Sequence, residues 1–143
     1  METTVEAGYR ILEHPADIGI EAWGTTLSDA FRQAVNALMA VITDPEKVHP
    51  SEEREVHLTA EDSGHLLVRL LSEALFHFDA GKFLTSRLSI REMSGTAIAG
   101  SLLGETLDPS RHILKLDVKA VTYHQLSVAD EGGMVRIRVF LDV

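Results

Sequence analysis

The stretch SGHLLVRLLSEALFHFDAGKFLTSRLSIR, residues 63–91, contains the change of rhythm that decides the fold. In its first half Leu66, Leu67, Leu70, Leu71, Ala74, Leu75 and Phe78 recur every three or four positions, the spacing of one helical face, while His65, Arg69, Ser72 and Glu73 fall elsewhere. Asp62 or Ser63 offers an N-cap, because a short oxygen-bearing side chain accepts from the free amides of a first turn. Gly81 suits the C-terminal end. Beyond Lys82 the period drops to two: Leu88 and Ile90 alternate with Arg87, Ser89 and Arg91, the pattern of a strand buried on one face.

Upstream, Leu27, Ala30, Phe31, Ala34, Leu38, Val41 and Ile42 predict another helix, with Thr26 as N-cap and Asp29 in its first turn. It stops before Asp44-Pro45, since proline clashes with a helical predecessor and donates no hydrogen bond. Before it, Tyr9 to Glu13 and Ile18 to Trp23 read as short strands around the turn-like His14-Pro15-Ala16-Asp17. Between the helices, Val56, Leu58 and Ala60 alternate with Glu55, His57 and Thr59 as one more strand.

Downstream the chain reads as strands throughout: Ala97 to Leu107, Ile113 to Val121, His124 to Val128 and Met134 to Leu141. Gly132-Gly133 marks a hairpin turn and Asp108-Pro109 a loop. Successive strands predict antiparallel pairing. Helices grouped early and strands late describe an α+β domain, two helices packed on one face of a mainly antiparallel sheet. A single domain over 9–143 follows a short polar leader over 1–8.

The 143 residues suffice for one core, and 45% hydrophobic with 24% charged residues is the composition of a folded chain. A formal charge of −9, from 22 acidic and 13 basic residues, argues against tight direct binding to nucleic acid, where lysine and arginine supply most of the affinity. The absence of cysteine excludes disulfides and thiolate sites and fits a reducing compartment. Met1 to Glu6 lacks the basic and apolar regions of an export signal, and no apolar run reaches the roughly 18 residues of a membrane span. The expected address is cytoplasmic, with no membrane partner.

Phosphate loops, the G-x-G-x-x-G fingerprint, the G-x-S-x-G elbow and the H-E-x-x-H helix are all missing. The seven histidines include no pair four residues apart and read as scattered surface residues. Strand parity is more informative. In Met134 to Val143 the odd positions Val135, Ile137, Val139, Leu141 and Val143 are apolar, so Arg136, Arg138, Phe140 and Asp142 share the other face. In Ile113 to Val121 the same test puts Leu114, Leu116, Val118 and Ala120 inward and presents Lys115, Asp117 and Lys119. Asp17 lies in register with Gly19 and Glu21, away from Ile18, Ile20 and Ala22. Asp142 and the carboxylate of Val143 concentrate oxygen ligands of the kind that Ca²⁺, Mg²⁺ or Mn²⁺ prefer. On spacing alone the preferred reading is the structural one, Asp17 capping a turn and Asp142 as a solvated chain end.

Three ordered segments carry a resemblance. Glu13-His14-Pro15-Ala16-Asp17-Ile18-Gly19-Ile20 with Ala22-Trp23-Gly24, then Val118-Lys119-Ala120-Val121-Thr122-Tyr123-His124, then Val139-Phe140-Leu141-Asp142-Val143 resemble the motifs of the archease family. The likeness spans Tyr9 to Val143, including the acidic pair Glu61-Asp62 that opens the second helix. It implies a non-enzymatic, chaperone-like activator of an RtcB-type RNA ligase in tRNA splicing and RNA repair, promoting ligase guanylylation and multiple turnover. A tRNA methyltransferase is a further implied partner. It also implies a divalent metal ion held by Asp17, Asp142 and the main chain or carboxylate of Val143, with Lys119 as a functional basic residue and Glu13, His14 and His124 as neighbours. No catalytic residue is expected. Pro15 stands where the family usually has a small hydroxyl residue, which stiffens the turn and removes a hydroxyl contact. Two other readings stay open: a small metal-dependent hydrolase with His14 or His124 as base, and an interaction module without a functional metal.

Overall fold

Thr26 and Asp62 start the two helices as their side chains lead one to expect, accepting from the amides of Asp29 and His65. The computed structural model describes residues 6–13 and 17–143, so His14 and Pro15 lie outside the described residues. In chain order the elements are β1 (Gly8–Glu13), β2 (Asp17–Gly24), α1 (Leu27–Ile42), a 3₁₀ turn (Pro45–Lys47), β3 (Glu52–Thr59), α2 (Ser63–Gly81), β4 (Phe83–Met93), β5 (Ala97–Thr106), β6 (Ala120–Val121), β7 (Ser127–Glu131) and β8 (Met134–Asp142). The residue that turns left-handed after α2 is Lys82, with φ 57°, rather than Gly81.

The α+β class with antiparallel pairing holds, and the strands divide between two sheets rather than forming one. The first runs β1-β2-β8-β6, with β7 also paired to β8; the second runs β3-β5-β4. α1 packs against β1, β2 and β8 of the first sheet and β4 of the second. α2 packs against β3, β4 and β5 and also meets β6 and β7. The helices thus join both sheets through one apolar core that includes Ile20, Phe31, Leu38, Leu66, Leu70, Leu102 and Val139. No described helix is long and apolar enough to cross a membrane.

The segment expected as a strand over Ile113 to Val121 is corrected: only Ala120–Val121 pairs. Leu114 and Leu116 are exposed instead of inward, Ala120 is exposed too, and Val118 alone of that set is buried. The physical reason lies in α1. A helix leaves its last carbonyls unsatisfied, and this strap spends its donors there: Lys115 N–H donates to Ile42 O (2.8 Å), Leu116 N–H to Val41 O (3.3 Å) and Lys115 Nζ to Ala40 O (3.4 Å). Thr43 Oγ1 returns a bond to Ile113 O at 2.6 Å. Amides committed to a helix end cannot also build a ladder.

A polar knot fastens the strap at its start. Glu105, nearly buried at the end of β5, accepts from both terminal nitrogens of Arg111 and from His49 N–H at 2.6 Å. His112, expected on the surface, is buried. Its Nδ1 accepts from Asp108 N–H (2.9 Å), which leaves Nε2 to donate to Glu105 Oε2 (3.2 Å). The Arg111 hydrogen bonds, helped by His49 and His112, outweigh burial and hold the Glu105 carboxyl down at about 2 against an ordinary 4.5. A depressed carboxyl stabilises the fold above its unfolded value and loses that contribution as pH falls from about 4.5 toward 2. Glu105→Gln is therefore expected to cost about 1–3 kcal/mol at neutral pH. Urea melts at pH 7 and pH 3 should show the wild-type advantage shrinking at the lower pH; a constant difference would remove the role given to this carboxylate.

Candidate metal centre

Asp17 and Asp142 are the first and last residues of neighbouring strands, and the register of β2 on β8 sets them directly opposite one another. Their anchors are apolar: Ile18 and Leu141 are buried beside them, and Val143 packs against the core. Directly opposed residues point to one face of a sheet with Cβ atoms about 4.5–5.5 Å apart, and two like charges so placed destabilise the pair. Among the described residues neither carboxylate has a lysine, arginine or histidine within ion-pair distance. No basic side chain among the described residues offsets that repulsion.

The next row on the same face is Gly19 opposite Phe140. A Cβ at position 19 would lie 2.9 Å from the Phe140 ring and 3.1 Å from Leu12 Cβ, so glycine is what lets that ring lie across the strand. Phe140 is buried although parity put it on the polar face. The third row is ionic: Arg10 and Arg138 flank Glu21, and their bonds to it outweigh burial and lower its carboxyl.

The segment 119–126 closes the acidic end. Ala120 pairs with Asp142, and Lys119 N–H donates to Asp142 O at 2.7 Å. Thr122 works twice, its N–H and its Oγ1 both donating to Phe140 O (3.0 Å each), while Oγ1 accepts from His124 N–H at 3.2 Å. This hydroxyl clamp turns the chain, with Gln125 at φ 50°, and corrects the expected strand over His124 to Val128: a turn occupies 124–125 and pairing begins at Ser127. The His124 ring lies edge-on to Phe140 at 5.8 Å, and Tyr123 packs on His65 at 5.7 Å.

Asp17, Asp142 and Val143 are therefore brought together, and Lys119 is exposed and joined to Asp142 by its main chain. His124 sits one row away through Phe140. Glu13 is not on that face: it pairs with Ile18, whose side chain enters the core, and lines a groove with Ile18 and Leu116. His14 lies outside the described residues. Parity did not single out Gly19, Phe140 or Thr122; the signal was present in an aromatic residue standing on an otherwise charged face opposite a glycine.

The donor chemistry fits a hard cation. Both side chains offer carboxylate oxygens, with no sulfur or aligned pair of histidines to favour zinc. Among the described residues no three His, Asp or Glu side chains gather at one point. Among the described residues, two side chains and main-chain oxygens are what the site offers.

The profile of the Archease protein family (MTH1598/TM1083) matches residues 9–143. "Protein archease" of Sulfurisphaera tokodaii is 34% identical, covering 94% of this chain and 98% of its own. That of Methanosarcina mazei is 38% identical, covering 94% and 95%. Among solved structures, that of protein 1598 of Methanobacterium thermoautotrophicum superposes with a TM-score of 0.82 at 34% identity, covering 95% of this chain and 99% of that one. A Thermotoga maritima archease described as a possible chaperone shares the fold, with a TM-score of 0.65 at 18% identity, covering 100% and 98%. With a family profile matched over nearly its whole length and relatives above one-third identity, this chain belongs to the archease family.

Proposed function

We propose that the chain is a metal-binding, non-enzymatic activator of an RtcB-type RNA ligase, promoting ligase guanylylation and multiple turnover in tRNA splicing and RNA repair. The observation that carries it is the facing of Asp17 and Asp142 across β2 and β8 with no compensating cation among the described residues. Their carboxylates, with the main chain or carboxylate of Val143, would hold a divalent ion, Ca²⁺, Mg²⁺ or Mn²⁺. When bound, such an ion offsets phosphate charge. Two side-chain donors among the described residues would leave coordination positions for water or for a partner's oxygens. Lys119, exposed and held at Asp142 by its main chain, would meet a phosphate or a ligase carboxylate. The charge of −9 steers the protein toward a basic cleft and away from free RNA, so association should slow as salt rises. A cytoplasmic setting and a second, chaperone-like role toward a tRNA methyltransferase belong to the same reading; the description of the Thermotoga relative as a possible chaperone agrees with it.

The test is ligase guanylylation and multiple turnover with Asp17→Ala, Lys119→Ala and Asp142→Ala proteins. Stimulation should drop at least about tenfold for each aspartate, the loss of a charge-assisted contact of some 1.4 kcal/mol or more. Full stimulation by all three would sink the proposal. The metal-dependent hydrolase reading has His124 one row from the acidic pair in its favour. Turnover of phosphoesters by the purified chain, lost in His124→Ala, would put it first.

A further inference from the structure

Three large aliphatic side chains crowd four positions of the strap, each about half exposed: Ile113 is 55% exposed, Leu114 52% and Leu116 45%. The fourth, Lys115, is partly exposed and folded back onto Ala40 O and Asp44, 2.9 Å from its carboxylate, so its positive charge is paired. Beside them runs an open groove of about 350 Å³, lined by Ile11, Ile18, Val41 and Leu116 together with Glu13 and the Asp44-paired Lys115. Leu116 is shared between the groove and the exposed strap, while Ile113 and Leu114 add apolar surface beside it, the composition of an interaction site with a polar rim. The backbone there is rigidly held through the α1 carbonyls and the Glu105 knot, so the surface is preorganised.

Its place is as informative as its composition. The groove includes Ile18, the neighbour of Asp17, and the strap continues three residues past Leu116 to Lys119, whose amide binds Asp142 O. One segment thus connects the apolar surface with the acidic centre.

Charge selects the occupant. Glu13 and Asp117 are exposed and have no ion-pair partner among the described residues, and Asp17 and Asp142 extend the rim, so with Lys119 as the one exposed base there besides the paired Lys115 it stays net negative. A second copy would bring the same acids and another −9, and RNA would bring phosphates, so both are repelled. A protein segment with an aliphatic anchor flanked by lysine or arginine satisfies both the groove and its rim.

We infer that Ile113, Leu114 and Leu116 with the groove beside them form the docking surface for a basic and apolar segment of the protein that receives the acidic centre. This rests on the proposed ligase-activating function, and the surface supplies holding affinity separate from metal binding. The probe is a purified RtcB-type ligase, titrated with the full chain, with the Ile113→Ser/Leu114→Ser double variant and with Asp117→Lys. Both serines replace exposed side chains, so the thermal melt and Mn²⁺ affinity should match wild type while ligase binding weakens about tenfold or more, as for loss of anchor residues. Asp117→Lys should weaken binding and flatten its salt dependence. Wild-type affinity in the double variant, with stimulation intact, overturns the docking surface and spares the functional proposal. Concentration-dependent dimerisation of wild type that the double variant abolishes overturns it in favour of a second copy. Absence of ligase binding and stimulation in wild type overturns both.

Discussion

Replacing Gly104 with alanine is expected to lower the melting temperature by about 10 °C or more, a cost of roughly 3 kcal/mol or above for a chain of this size. β4 and β5 pair with register shifts between Thr85 and Arg87 and between Ile90 and Glu92, where the longer strand carries an extra residue. A Cβ at position 104 would stand 1.9 Å from Leu84 O and 2.9 Å from Leu84 C, both main-chain atoms that no rotamer change can move. Relief requires opening the ladder beside Phe83 and Leu84, which are buried in the core. It also disturbs Glu105, the next residue and the hub of the knot that holds the strap. Gly81→Ala is the control. Nothing lies within 4 Å of its Cβ position, and alanine is the better helix former, so that variant should melt at or slightly above the wild-type temperature. Calorimetric melts of the three proteins decide the matter; a Gly104→Ala melt within 2–3 °C of wild type, equivalent to about 1 kcal/mol, would show that the sheet relaxes more easily than this contact allows.

Asp142→Asn should have opposite effects with and without metal. In chelator the variant should be as stable as wild type or more so by some tenths of a kcal/mol, because one of two opposed charges is gone. With Mn²⁺ at about a hundred times its dissociation constant, wild type should gain about 2.7 kcal/mol, a rise of roughly 5–10 °C. The variant, deprived of one charged ligand, should gain little. Scanning calorimetry in chelator and in Mn²⁺ gives all four melts. Equal metal-induced shifts would remove Asp142 from the site, and a variant clearly less stable in chelator would show that its carboxylate has a structural partner. The two signs cannot both come from a general loss of fold, which makes this pair of melts more diagnostic than activity alone.

Much of the local structure was legible in residue types. Leu66 through Phe78 and Leu27 through Ile42 form the helices their spacing requires, with Asp62 and Thr26 as caps. Gly132-Gly133, both at positive φ, makes the hairpin between β7 and β8. Alternation also placed Val135, Ile137, Val139 and Leu141 inward. It failed over Leu114 to Ala120, because alternating apolar residues describe a chain that shows two faces and say nothing about where its amides go. Here they go to the end of α1. His112 escaped notice for a related reason: its burial depends on Glu105 and the Asp108 amide, and that network exists only once β5 and the loop after it are folded together.

The acidic pair divides in the same way. Sequence by itself determined that Asp17 and Asp142 each stand on the polar side of a strand, since side chains alternate and their neighbours Ile18 and Leu141 must face the core. Only the tertiary structure decided that the two strands are neighbours and that position 17 meets position 142. A slip of one residue would have set Asp17 against Leu141 and turned the apolar row of one strand to water. The register is set by burying Ile18, Ile20 and Ala22 together with Leu141, Val139 and Ile137, a long-range choice in which the carboxylates take no part. The core chose the register, and the register brought the two charges face to face.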